Sequence, residues 1–101
     1  MENVLIAGSD HAGLSLKKEL AGLAAELGYD VRDLGTHTSD STDYPDYAHQ
    51  VATAVAAGEG VGLLVCGTGI GMSITANRHS GVRAALCGDV LSASMARRHN
   101  D

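Results

Sequence analysis

The sequence predicts an α/β domain built on a parallel, doubly wound sheet, and three observations predict it. Short apolar runs alternate with segments of helical periodicity along the whole chain, which is the order of successive right-handed βαβ units. The polar residues best suited to chemistry follow the apolar runs directly, where open parallel sheets place their ligands, beyond the carboxyl ends of the strands. The length of 101 residues supports one core and not two. Residues 1–101 are therefore read as a single domain, without linker, internal repeat or low-complexity segment.

The first run, "NVLIAG" (Asn3–Gly8), is almost continuously apolar, as expected of a strand covered on both faces. Leu16, Leu20, Leu23 and Leu27 then recur at helical spacing, which predicts that they face inward and that Lys17, Lys18 and Glu19 face outward. Gly28 is the stop, since glycine accepts the left-handed conformation after a helix end. "YDVRDLG" (Tyr29–Gly35) alternates with polar residues and is expected at or near a sheet edge. "THTSDSTDYPD" (Thr36–Asp46) is the one long polar loop, and Pro45 suits the first turn of the helix that follows, where its missing N–H costs nothing. Ala48, Val51, Ala52 and Val55 give that helix an apolar face, closed by Gly58. "VGLLVC" (Val61–Cys66) is a third buried strand, succeeded by a glycine loop and a short helix to about Arg78. "VRAALC" (Val82–Cys87) is expected to be a fourth strand, and Asp89 to cap a last helix with Leu91 and Met95 on one side. The reading is thus four strands with helices on both faces. "MARRHND" ends it on a helix, leaving one sheet edge poorly covered.

Composition narrows the function classes. Hydrophobic residues make up 45% of the chain, with no Trp or Phe, so the core must be aliphatic and the chain globular. A net charge of -5 and a pI near 5.3, without any basic run, argue against nucleic acid and anionic membrane as partners. No segment approaches the ~20 apolar residues of a membrane span, and "MENVLIAGSDH" lacks the basic region of a signal peptide. Cys66 and Cys87 make neither a disulfide framework nor a CxxC pair, which points to the cytoplasm. No histidines have ligand spacing, so no metal site is expected.

The glycines of "LLVCGTGIGMSI" (Leu63–Ile74) invite a cofactor reading that the spacing does not support. A dinucleotide fingerprint needs Gly-x-Gly-x-x-Gly in the first βαβ unit. Here Gly67, Gly69 and Gly71 follow the third strand, and the third glycine arrives one position early. Asp89, about where a ribose-binding acid would sit, follows the fourth run instead of ending it. No Lys-Ser/Thr pair makes the loop a P-loop. What it does supply is a row of backbone N–H groups at a helix N-terminus, suited to a phosphate or to an oxyanion formed in a reaction; close packing alone would also require such glycines. Cys66 sits beside that helix start, a position that favours the thiolate, and Thr68 adds a hydroxyl. Cys87 has no such loop and reads as a small buried hydrophobe. Asp10-His11 could be a helix cap and a surface histidine, and His99-Asn100 a frayed helix end beside the negative pole. His37, His49 and His79 have nothing in the sequence to orient them.

Taken together and in order, "GSDHAG", "DLGT", "DYPDYA", "CGTGIGMSI.AN" and "RHND" resemble the sugar-phosphate isomerase family of ribose-5-phosphate isomerase B and galactose-6-phosphate isomerase. The likeness runs from the first strand to the last residue. It implies a Rossmann-like sheet, a homodimer, and interconversion of aldose and ketose phosphates with no metal or cofactor, as in the pentose phosphate pathway. By position, it implies that Cys66 moves a proton between C1 and C2 through a cis-enediolate, assisted by Thr68. The N–H groups of Gly67, Thr68, Gly69, Ile70 and Gly71 would hold the enediolate oxygen, and Asp10 and His11 would bind substrate oxygens. His99, reaching from the partner subunit, would open the furanose ring, with Asn100 on a hydroxyl. Some members carry a glutamate base where this chain has Met72, which cannot take a proton. The resemblance favours ribose 5-phosphate and ribulose 5-phosphate over galactose 6-phosphate or allose 6-phosphate. Members of the family continue into a further strand and helix bearing arginines for the phosphate, and Arg83, Arg97 and Arg98 match none of those positions. The alternative from another class is a sugar-phosphate-binding module without turnover, and a third reading is a fragment that associates through its open sheet edge.

Overall fold

The computed structural model describes residues 3–100; Asp101, the last residue of the "RHND" block, lies outside them. In chain order the elements are β1 (Val4–Ser9), α1 (Leu14–Glu26), β2 (Asp30–Asp33), α2 (Tyr44–Ala56), β3 (Val61–Val65), α3 (Ile70–Asn77) and α4 (Val90–Asn100). The strands form one parallel sheet in the order β2-β1-β3. Leu5 pairs with Val31 and Val61 on its two sides, and Ser9 pairs with Val65.

Pairing on both sides explains why β1 is the most apolar run. Val4 and Ile6 are buried and pack with Val51 of α2, with Leu34, Ala54, Val55 and Leu64 around them. Since side chains alternate along a strand, Leu5, Ala7 and Ser9 face the opposite side, against α1. The sheet is therefore covered on both faces, the Rossmann-like arrangement expected, and β2 is the edge strand that its polar alternation predicts. Pro45 lies in the first turn of α2, and Asp89 caps α4 by accepting the Ser92 N–H at 2.7 Å. That bond holds the exposed Asp89 carboxyl below its ordinary pKa.

Four expectations are corrected. Among the described residues there are three strands and not four: Val82–Cys87 is irregular, because Ala84 gives its N–H to Asn77 Oδ1 and its C=O accepts the Asn77 Nδ2, both at 2.8 Å. The backbone groups a ladder would use there are taken by a side chain. Cys87 is accordingly exposed and not a buried strand end. Without a neighbour on that side β3 is an edge, exposed at Val61 and Gly62 and buried only at Val65. Finally, α1 is rotated relative to its leucine stripe. Lys17 is wholly buried, while Leu16, Leu23 and Leu27 are 48%, 51% and 70% exposed. Small residues at Ala21 and Ala24, in register with Leu14 and Lys17, let the helix lie close to the sheet, and the Lys17 ammonium finds acceptors beneath it.

Candidate active site

Loops from three places meet at the carboxyl ends of β1 and β3. The first, Asp10–Gly13, is a tight turn: the Gly13 N–H donates to Asp10 Oδ1 at 3.0 Å, and Asp10 is buried. A Cβ on Gly13 would lie 2.4 Å from the Val65 carbonyl oxygen. Only glycine lets this turn press against the end of β3, and the contact brings Asp10 and His11 beside the loop that begins at Cys66. The second loop is the polar segment before α2. Its Thr42 N–H donates to His11 Nδ1 at 3.1 Å, and its hydroxyl oxygen accepts the His11 N–H at 3.2 Å. An accepting Nδ1 puts the ring proton on Nε2, so His11 presents itself as a donor.

The third loop carries the thiol. Cys66 is half-buried and its Sγ accepts the Gly69 N–H at 3.1 Å. Gly69 has φ +81°, the left-handed turn that aims this N–H back at the sulfur and starts α3. The Thr68 hydroxyl oxygen accepts the Ile70 N–H at 3.2 Å. Two of the N–H groups read from the sequence as bare are thus engaged by the loop's own side chains. A Cβ on Gly71 would stand 2.5 Å from the Tyr44 ring, so α2 abuts the start of α3. Tyr44 was not singled out in the sequence, where it stood only within the "DYPDYA" block. Met72 is buried in the core.

An open groove of about 750 Å³ runs along the free side of β3, lined by Cys66, Thr68, Gly69 and Leu86 among others. His99 and Asn100 do not join it. They end α4, and Asn100 lines a second cleft with Val61 and Gly62, at the opposite end of β3 from Cys66. His49 and His79, which no sequence feature oriented, are paired, with Nδ1 of the first 2.8 Å from Nε2 of the second. Among the described residues no group of three or more His, Cys, Asp or Glu side chains could hold a metal ion. None of the described helices is long and apolar enough to cross a membrane.

A family profile described as Ribose/Galactose Isomerase matches residues 5–101. Ribose-5-phosphate isomerase B of Escherichia coli is 52% identical over 95 residues, which cover 93% of this chain and 64% of that protein. A putative sugar phosphate isomerase of Bacillus subtilis is 50% identical over 95 residues, with coverage of 92% and 64%. This chain spans 64% of the length of both relatives. Among solved structures, Clostridium thermocellum ribose-5-phosphate isomerase B superposes with a TM-score of 0.91 at 47% identity, covering 96% of this chain and 66% of that one. Type B ribose 5-phosphate isomerase of Trypanosoma brucei gives 0.92 at 47% identity, with coverage of 99% and 69%.

Proposed function

The chain belongs to the ribose/galactose isomerase family, and from that premise we propose that it is an aldose–ketose isomerase interconverting ribose 5-phosphate and ribulose 5-phosphate. The observation that carries the reading is the contact of Gly13 with the Val65 carbonyl. It sets a hydrogen-bonding Asp10–His11 turn beside a half-buried thiol whose sulfur receives a backbone N–H.

In the open-chain aldose, the Cys66 thiolate takes the proton from C2. The electron pair moves into a C1–C2 double bond, and the carbonyl oxygen at C1 gains negative charge. Donors fixed before the reaction stabilise such charge without reorganising; His11 Nε2, the Thr68 hydroxyl and the loop N–H groups of Gly67, Thr68 and Gly71 serve here, those of Gly69 and Ile70 being held by Cys66 and Thr68. Returning the proton from Cys66 to C1, with the oxygen proton passing from O2 to O1, gives the ketose. Ring opening requires a separate acid/base group, and His99 of a second copy serves, with Asn100 on a substrate hydroxyl. The placement of Asn100 at the far end of β3 from Cys66 supports a shared, homodimeric site over a self-contained one. The site is a cytoplasmic, cofactor-independent one in this reading.

Substrate preference tests the proposal. Turnover followed by NMR is expected to give ribose 5-phosphate the higher kcat/KM against galactose 6-phosphate. A higher value for the hexose phosphate would move the chain to the other branch of the family. Ligand-induced stabilisation without any turnover would make it a binding module.

A further inference from the structure

We propose that Lys17 is a positioning residue for the candidate site, its buried ammonium setting the placement of the Asp10–His11 turn; the inference rests on the site proposed above. Lys17 has no exposed surface, and its Nζ donates to Asp33 Oδ1 at 2.7 Å and to the Thr36 carbonyl. Burying an ammonium is costly, and a buried ion pair can often be replaced by apolar residues with no loss of stability. Leu14, Ala21 and Ala24 on the same helix face would readily accommodate a methionine. Stability therefore gives a weak reason for an ammonium at this place.

Its geometric consequence is larger. Asp33 Oδ1 also accepts the Gly35 N–H at 2.9 Å, so one carboxylate oxygen fixes both the ammonium and the turn after β2. That turn then grips the end of β1: Ser9 gives its N–H to the Gly35 carbonyl and receives the Thr36 N–H on its own carbonyl, both at 2.7 Å. The Ser9 hydroxyl is buried without a hydrogen-bond partner, so these two backbone bonds, and not its side chain, tie Ser9 to the turn after β2. Asp10 is the next residue. On the other side of the turn, the Lys17 N–H donates to the Gly13 carbonyl at 2.9 Å, and the Gly13 N–H holds Asp10 Oδ1. Lys17 thus braces the Asp10–His11 turn from both ends. Its side chain acts through Thr36 and Ser9, its backbone through Gly13.

The test compares Lys17→Met with the double variant Lys17→Met/Asp33→Asn, which leaves no unpaired charge and keeps the experiment interpretable if the single variant does not fold. The readouts are thermal unfolding, amide hydrogen exchange, and kcat and KM on ribose 5-phosphate. The double variant is expected to unfold within a few degrees of the unmodified chain and to keep the Ile6 amide protected. Exchange at Gly13 and Thr42 should quicken selectively, and kcat/KM should fall about 10- to 100-fold, the scale on which a displaced contact reduces rate. A folded double variant with Gly13 and Thr42 protection and kcat/KM within twofold of the unmodified chain would overturn the proposal. So would a uniform loss of protection that includes Ile6, which marks a purely structural role. If the unmodified chain does not turn over ribose 5-phosphate, the functional reading fails, and the exchange pattern still decides whether Lys17 positions the turn.

Discussion

From Val4 to Val65 the chain is held by contacts distant in sequence, whereas between Val82 and Asn100 the Asn77 and Asp89 side chains bond within seven residues and Leu86 reaches Gly69. The first region has two strand pairings, a buried cluster of Val4, Ile6 and Val51, and the Lys17–Asp33 bridge. The second has the Asn77 clamp on Ala84, seven residues away, and the Asp89 cap on Ser92, three residues away. None of the α4 residues is buried. Cys66 and its glycine loop lie where the two regimes meet. The thiol and the Asp10–His11 turn adjoin the buried sheet, and His99 and Asn100 end a helix without a buried residue. The proposed site includes both, and the second copy proposed above would bring its two parts together.

Mutations at matched apolar residues should break the comparison most sharply. Ile6 is wholly buried and Leu91 is 69% exposed. Ile6→Ala is expected to cost about 2–5 kcal/mol through lost transfer energy and the cavity left behind. Leu91→Ala should stay within about 0.5 kcal/mol, both measured by denaturant unfolding. Similar costs at the two positions would show that α4 is buried in solution.

A smaller effect is expected at the clamp. Asn77→Ala removes both bonds to Ala84, each worth roughly 0.5–1.5 kcal/mol net, in a segment open to water. Amide exchange at Ala84 should rise while that at Ile6 stays protected. Coupled loss at both positions would mean that Val82–Cys87 is integral to the sheet.

The smallest is a pH effect at the α4 cap. The Asp89 carboxyl is held below its ordinary value of 3.8 by the bonds from Ser92. A depressed carboxyl pKa stabilises the fold above the unfolded pKa, and that contribution is lost as pH falls through the lower, folded value. The Ser92 amide shift should therefore report release of the cap only below about pH 4, and Asp89→Asn should flatten the response. A transition at higher pH would place another group in control.

What could be read from sequence follows the same division. β1 was legible because a strand paired on both sides must be apolar throughout, and the caps at Pro45 and Asp89 because they depend on neighbours within one turn. Lys17 was not, since counting apolar periodicity assigns every lysine to solvent, and its acceptors lie 16 and 19 residues away. The missing fourth strand was illegible for a related reason: Val82–Cys87 has strand-like composition, but pairing is decided by a partner and by Asn77. The His49–His79 pair spans 30 residues and leaves no local trace. Asp10, His11, Cys66 and Thr68 were singled out because each follows a strand end, and the contact of Gly13 with Val65 brings their two loops side by side. The engagement of the Gly69 and Ile70 N–H groups by Cys66 and Thr68 depends on loop geometry that spacing does not encode.

The most direct test of the account is incorporation of solvent deuterium into the sugar carbon. With ribose 5-phosphate in deuterium oxide, the unmodified chain is expected to place deuterium at C1 or C2, as read by NMR. Removing a general base typically costs ~10²–10⁴-fold in rate, so Cys66→Ala should slow this exchange by that factor while the protein stays folded, and Cys87→Ala should leave it nearly unchanged. Exchange by Cys66→Ala at the rate of the unmodified chain, or no exchange by the unmodified chain, would contradict Cys66 as the proton-transfer base.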